Sequence, residues 1–337
     1  LIGISFYLND QFAEQRIIEA SKSGVKRAFT SLHIPEETGH LAQKAKHLLQ
    51  VAKKHQMEVY ADVSKHTPTH LQIHQLEDLA SLGVTGIRLD DGFGVEDIVH
   101  LSQFFKLALN ASTVSESFLN ALFTAGIEAN QLVGWHNFYP RRETGLDEVF
   151  FQQQNRMFFQ YQIPVVAFVA GQKEKRGPLF EGLPTLEQHR TVNMLLAAVR
   201  LVEEGISNIY IGDPEFDERI VNALDDWNKY KILNLRMLTE TLPACTYRLR
   251  PDRSRDVVRL QGTRTSEVIN PIQTISRTRG TITMDNERYG RYQGEVHVVL
   301  NDLPADDRVN VIGQIHPEDI ELLELAQQAY SLRLIKE

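Results

Sequence analysis

A single cysteine, Cys245, in 337 residues excludes an intrachain disulfide and leaves no reason to expect an oxidising compartment. No apolar run approaches the ~18 residues that mark a membrane-crossing helix. The chain begins inside a strand-like pattern with no signal-peptide layout, so cytoplasm is the expected location. Charge of one sign is also scarce: 36 Lys and Arg against 44 Asp and Glu leave a net −8, which disfavours nucleic acid or an anionic membrane as a bulk partner. Anion binding would need a local cluster of Arg or Lys. Several signatures are missing too. There is no Gly-x-Gly-x-x-Gly turn, no phosphate loop, and no nucleophile elbow at Ser31 or Ser64. His33, His136 and Asp62 are scattered without a compact ligand spacing, so neither metal nor cofactor is expected.

What the chain does have is a rhythm. Eight short apolar runs, Ile2–Leu8, Arg27–Leu32, Glu58–Val63, Gly86–Asp90, Lys106–Asn110, Leu132–His136, Pro164–Val169 and Asn208–Ile211, are each followed by a helical pattern. Such alternation predicts βαβ units and a parallel sheet, and eight units predict a closed (β/α)8 TIM barrel. Helices are expected over Asp10–Ser23, Gly39–His55, Leu71–Leu82, Val95–Gln103, Ser115–Ala125, Asp147–Tyr161, Leu186–Glu204 and Glu215–Lys231. Gly24, Gly83, Gly126 and Gly205 follow helices where a left-handed cap residue is expected.

Past Lys231 the pattern changes to short β-branched runs, Thr281–Met284, Glu295–Leu300 and Val309–Ile315, with one late helix over Pro317–Tyr330. The fold class is therefore α/β, a barrel over residues 1–232 followed by a smaller, mostly-β domain over 233–337.

In a TIM barrel the chemistry sits where the strands end. Those positions carry Tyr7, Asp62, Arg88, Asp90, Asp91, Asn110 and Ser112, then the dense run from Trp135 to Glu143, and finally Asp213. Two carboxylates flanking a bond suffice for glycoside hydrolysis; Asp62 and Asp90 end adjacent strands, and Glu143 lies in the sixth loop. Each Asp has a plainer alternative as a helix cap or the partner of a buried Arg, and Asp213 before Pro214 suits a helix start. The Asp90-Asp91 doublet also permits a substrate-assisted route on an acetamido sugar. Arg141, Arg142, Lys173, Lys175 and Arg176 make the sixth and seventh loops locally basic, where barrels often bind phosphate. Trp135, Phe138 and Tyr139 offer a stacking platform for a sugar, against a competing role in barrel packing.

Four long motifs sharpen this picture: Trp135–Leu146 (WHNFYPRRETGL), the loop Arg176–Arg190 (RGPLFEGLPTLEQHR), Arg88-Leu89-Asp90 with Gly92-Phe93, and Asp285–Glu295 (DNERYGRYQGE). Together they resemble a bacterial family of TIM-barrel proteins, once labelled "outer surface protein", that contains the 6-phospho-N-acetylmuramidases. The resemblance spans essentially the whole chain. It implies a barrel followed by a cyclophilin-like β domain, and an intracellular hydrolase that splits 6-phospho-N-acetylmuramic acid–N-acetylglucosamine during peptidoglycan recycling. Residue by residue it points to Asp90, His136, Tyr139, Arg141, Glu143, Arg176, Glu187 and His189. Arg142 departs from the pattern, where proline is expected, and Asp91 is not assured within it. The expected catalytic set is Asp90 with Asp62 or Glu143. The expected substrate-binding set is Tyr7, His136, Asn137, Tyr139, Arg141, Arg176, Glu187 and Asp213. The expected partner is a phosphorylated amino-sugar disaccharide. A barrel lyase or isomerase on a phosphorylated sugar, or a non-catalytic sugar-binding protein, stays open as an alternative.

Overall fold

The computed structural model describes residues 2–32, 41–89 and 92–337, and the chain divides into two compact units, Leu1–Val221 and Asn222–Glu337. In the first, eight parallel strands close into a barrel: β1 (Ile2–Ser5), β2 (Arg27–Ser31), β3 (Glu58–Val63), β4 (Val84–Leu89), β5 (Lys106–Asn110), β6 (Leu132–Trp135), β7 (Val165–Val169) and β8 (Asn208–Ile211). The eight apolar runs are the eight strands. Their β-branched and aromatic residues suit a sheet buried on both faces. Gly24, Gly83, Gly126 and Gly205 all take the expected left-handed backbone, φ +83°, +109°, +93° and +85°.

Two expected helices differ from what the barrel forms. The pattern over Leu71–Leu82 becomes two short helices, Thr67–Leu71 and Asp78–Leu82. The first ends because Gln72 is left-handed at φ +51°, and the second starts where the Asp78 carboxylate accepts the N–H groups of His74 and Gln75. The pattern over Leu186–Glu204 is helical only from Met194 to Glu203, because the Asn193 side chain caps that helix through the Leu195 N–H. The preceding residues form a single 3-10 turn, Glu187–His189.

Register decides what lies inside the barrel. Tyr60 is aligned with Phe29 and with Gly86, so these three share the inner face. A Cβ on Gly86 would sit 2.2 Å from the Tyr60 ring, and one on Gly3 would sit 2.5 Å from Tyr210. Missing side chains on β1 and β4 thus admit tyrosine rings from β8 and β3. Trp135 packs between them, with centroids 4.8 Å from Tyr60 and 4.7 Å from Tyr210, and Phe29 and Phe168 complete the cluster. Each buried aromatic of this kind stabilises the fold by roughly 1.5–3 kcal/mol. Two residues further along the strands the same face turns polar: Ser31, Asp62 and Arg88 are cross-strand neighbours. That row is the floor of the barrel mouth.

The second unit is a seven-stranded mixed sheet. Its strands are β9 (Ile232–Leu238), β10 (Thr246–Arg248), β11 (Val257–Arg259), β12 (Thr281–Asp285), β13 (Val296–Val299), β14 (Val309–Ile315) and β15 (Ser331–Lys336), in the order β10-β15-β9-β14-β12-β13-β11. The late helix is a 3-10 segment, Pro317–Leu325, that stops short of Tyr330. Its Asp319 carboxylate is held by Arg236 of β9 at 2.6 Å. Within the Asp285–Glu295 motif, Glu295 is buried and gathers Arg259, Arg264 and His297. Among the described residues no helix is long and apolar enough to cross a membrane.

Candidate active site at the barrel mouth

Asp62, at the end of β3, forms a buried ion pair with Arg88 of β4, Oδ1 to guanidinium 2.7 Å. The other terminal nitrogen of Arg88 donates to the Asn137 side-chain oxygen. Asn137 is in turn fixed by its backbone: its N–H donates to Ser112 Oγ at 3.1 Å, and its carbonyl accepts from Thr185 Oγ1 at 2.9 Å. One polar network therefore links β3, β4, the segments after β5 and β6, and the loop after β7. Register supplies its first link, Asp62 beside Arg88, and the side chains of Arg88, Ser112 and Thr185 carry it on to Asn137.

His136 belongs to this network but turns away from the mouth. It is fully buried, with Nε2 2.8 Å from Asn155 of the helix Glu148–Gln160 and Nδ1 3.1 Å from Ser112 Oγ. Burial pushes its pKa down to about 4, so at neutral pH it is a neutral ring serving two hydrogen bonds. Trp135 is likewise wholly within the barrel core, which removes it from any sugar-stacking platform. Phe138 is half-buried against Phe29 and Phe168.

A second cluster joins β1, β8 and the loop after β7. Tyr7 is buried and donates its hydroxyl to the Gly212 carbonyl at 2.5 Å, while the Arg176 guanidinium stacks 3.9 Å above its ring. Burial raises the Tyr7 pKa and keeps the phenol protonated. Asp213 is fully buried and accepts three backbone N–H groups, from Gly171 (2.7 Å), Arg176 (2.9 Å) and Leu183 (2.9 Å). Burial holds its carboxyl above the ordinary range, against the pull of those N–H groups and of Lys175. Asp213 thus clamps both ends of the seventh loop, and Arg176 is delivered over Tyr7 by its own anchored N–H.

The sixth loop carries the remaining expected residues. Tyr139 is half-buried, with its N–H on the Pro184 carbonyl at 2.9 Å, and Arg141 and Glu143 are exposed. Glu143 has φ +67°, a left-handed conformation that non-glycine residues seldom adopt. Glu187 accepts the N–H groups of Glu143 (2.9 Å) and Gly145 (2.7 Å) and pairs with Arg190 at 2.6 Å. The Arg190 guanidinium and those N–H groups hold its carboxyl down at about 2. Asp90 and Asp91 lie outside the described residues, as does His33.

The structure thus brings Asp62 and Asn137 together through Arg88, and Tyr7, Arg176 and Asp213 together through the seventh loop. Among the described residues, three buried donors along this end of the barrel, Ser5 Oγ, Arg88 Nε and Arg176 Nε, have no hydrogen-bond partner, and buried donors of this kind are normally satisfied by water or ligand. Among the described residues no three His, Cys, Asp or Glu side chains gather as a metal would require. A half-open cavity of about 180 Å³ lies at the opposite end of the barrel, among Arg27, Glu58, Lys106 and Asn208 at the strand starts, the face where TIM barrels build stability and not chemistry. Arg88 and Arg190 organise the mouth. Arg88 is named from sequence at a strand end but given no role, and Arg190 is marked only by falling inside a long motif.

The family model described as 6-phospho-N-acetylmuramidase, N-terminal, matches residues 2–226, and its C-terminal counterpart matches 217–335. A crystal structure of a conserved Enterococcus faecalis protein of unknown function is similar at 36% identity and TM-score 0.86, covering 100% of this chain and 96% of that one. An uncharacterized B. cereus protein is similar at 26% identity and TM-score 0.70, covering 99% of each chain. No curated protein matches the chain.

Proposed function

This chain belongs to the 6-phospho-N-acetylmuramidase family, and on that premise we propose that it is an intracellular glycoside hydrolase of peptidoglycan recycling. Its substrate is the disaccharide 6-phospho-N-acetylmuramic acid–N-acetylglucosamine. The observation that carries the reading is the match of both family models, which together span residues 2–335. On the same reading the catalytic unit is residues 1–232, and residues 233–337 form the cyclophilin-like domain.

Glycoside cleavage needs one carboxyl to protonate the leaving oxygen and another to act as nucleophile or base. Asp90 is one of the pair, and Asp62 or Glu143 the other. Asp62 is supported by its place on the inner face of the barrel mouth beside Arg88, and Glu143 by its exposure on a loop anchored to Glu187. Arg176, stacked on Tyr7 with a buried Nε that has no hydrogen-bond partner among the described residues, and the exposed Arg141 take the two anionic groups of the substrate, phosphate and lactyl carboxylate. Guanidinium forks suit both.

The test is release of N-acetylglucosamine from the 6-phosphorylated disaccharide beside its unphosphorylated twin, with and without chelator. Cleavage of the phosphorylated substrate alone, unaffected by chelator, is the expected result. No cleavage of either would remove this substrate and return the lyase and sugar-binding readings.

A further inference from the structure

We propose that Arg190 and Glu187 act as positioning residues: a hub of a buried guanidinium and a half-buried carboxylate that sets the conformation of the sixth loop and thereby aims Arg141 and Glu143. The inference rests on the substrate roles given above to those two side chains. It goes beyond them in assigning the control of their placement to a buried guanidinium and to a carboxylate whose two oxygens are taken up by Arg190 and the loop.

Arg190 is buried and its guanidinium is spent on three strands of chain at once. Nε and one terminal nitrogen grip Glu187 as a fork, at 2.7 and 2.6 Å. The same terminal nitrogen donates to the Arg141 carbonyl at 3.0 Å, and the other donates to the carbonyls of Tyr139 at 2.9 Å and Gly182 at 3.0 Å. Planar geometry with five donors is what permits this; an ammonium has three and no fork. Glu187 completes the clamp from the other side. Each of its oxygens accepts one N–H from Arg190 and one from the sixth loop, Glu143 to Oε1 and Gly145 to Oε2.

Two features of the loop fit only a clamped state. A Cβ on Gly145 would lie 2.6 Å from Glu187 Oε2 and 2.7 Å from the Glu187 nitrogen, so only glycine allows this approach. Glu143 keeps its left-handed φ, a conformation that persists where the surroundings over-determine it. Side-chain packing does not do this, because residues 140–144 are all exposed. The loop is held by its backbone, and Arg190 and Glu187 supply most of the partners.

The experiment uses the full chain with Arg190→Lys, Glu187→Gln and Gly145→Ala. The last disturbs the clamp from the loop side and leaves the buried arginine intact, should the first variant fold poorly. Amide hydrogen exchange over residues 139–146 and steady-state kinetics on the phosphorylated disaccharide are both read. Exchange at Glu143 and Gly145 is expected to rise at least tenfold in each folded variant, with kcat falling at least tenfold. Exchange unchanged in the folded variants would overturn the clamp, and freed amides with kcat and KM both unchanged would overturn its link to the site. If the wild-type chain does not cleave the disaccharide, the functional reading fails, and the exchange result alone decides whether the hub holds the loop.

Discussion

Arg88 and Asp62 are cross-strand neighbours on the inner face of the barrel, and their side chains meet 2.7 Å apart where both are almost wholly buried. A charge pair in such a place sits directly above an aromatic core and directly below the mouth. Breaking a buried ion pair by removing the guanidinium typically costs about 3–5 kcal/mol. Arg88→Met is therefore expected to lower stability by that order in urea denaturation. Asp62→Asn retains a hydrogen-bond acceptor and is expected to cost less while abolishing most turnover. Near-normal turnover by both Asp62→Asn and Asp90→Asn would refute the proposed acid/base assignment.

Tyr7 has two separable roles, a hydroxyl on Gly212 and a ring beneath Arg176. Tyr7→Phe removes the first only, with an expected stability loss of about 1 kcal/mol and little change in KM. Tyr7→Leu removes both; loss of a stacked guanidinium worth about 1 kcal/mol predicts a KM about fivefold higher. Equal KM values for the two variants would dissociate Arg176 from substrate binding.

His189 is buried, neither ring nitrogen has a hydrogen-bond partner among the described residues, and burial pushes its pKa down to about 4. The sign follows from proton binding: between pH 6.5 and 4 the unfolded chain holds the proton and the folded one does not, so stability falls as pH drops through that window. At pH 5 the effect is about 2 kcal/mol. Asp285 works in the opposite sense. Burial and the neighbouring Glu295 hold it up to about 7, so its contribution is lost as pH rises from about 4 to 7. The histidine is therefore read by difference. His189→Met should gain stability relative to wild type on going from pH 7 to pH 5, measured by urea midpoints, and parallel pH curves for the two proteins would contradict it.

Gly86→Ala places a methyl 2.2 Å from the Tyr60 ring. Overpacking of this kind costs about 1–3 kcal/mol. A matching Gly94→Ala, whose Cβ meets nothing nearer than 4.0 Å, carries no such clash and should cost less in thermal denaturation, its cost being that of alanine at the N-cap of the helix Val95–Leu101.

The strands and most helices were legible in the chain because their signals are local. Val165–Val169 announces a buried strand by composition alone, and glycines at helix ends announce their backbone. Local signals fail where a pattern is long enough for one helix but is punctuated by residues such as Gln72, whose left-handed turn no propensity foretells. They fail more completely at the mouth. Asp62 could be read as an acid at a strand end, but its partner lies 26 residues away, and only barrel register brings the two together. Arg190 was harder still, since four of the groups it binds are backbone carbonyls, which look the same in every sequence. Trp135 read as a platform because it leads an aromatic run. The inner face of β6 claims it, because Gly3 and Gly86 leave room for the rings packed around it.

Those two glycines have a consequence for traffic. Tyr60, Tyr210 and Trp135 close the barrel across its width, so the scaffold is a blind cup and not a tube. Whatever enters at the strand ends must leave by the same opening, in the reverse of its entry order, and the piece seated deepest departs last. A fragment that bound tightly at the base of the cup would then obstruct the next entry from below, whereas one held near the rim would exchange freely above it.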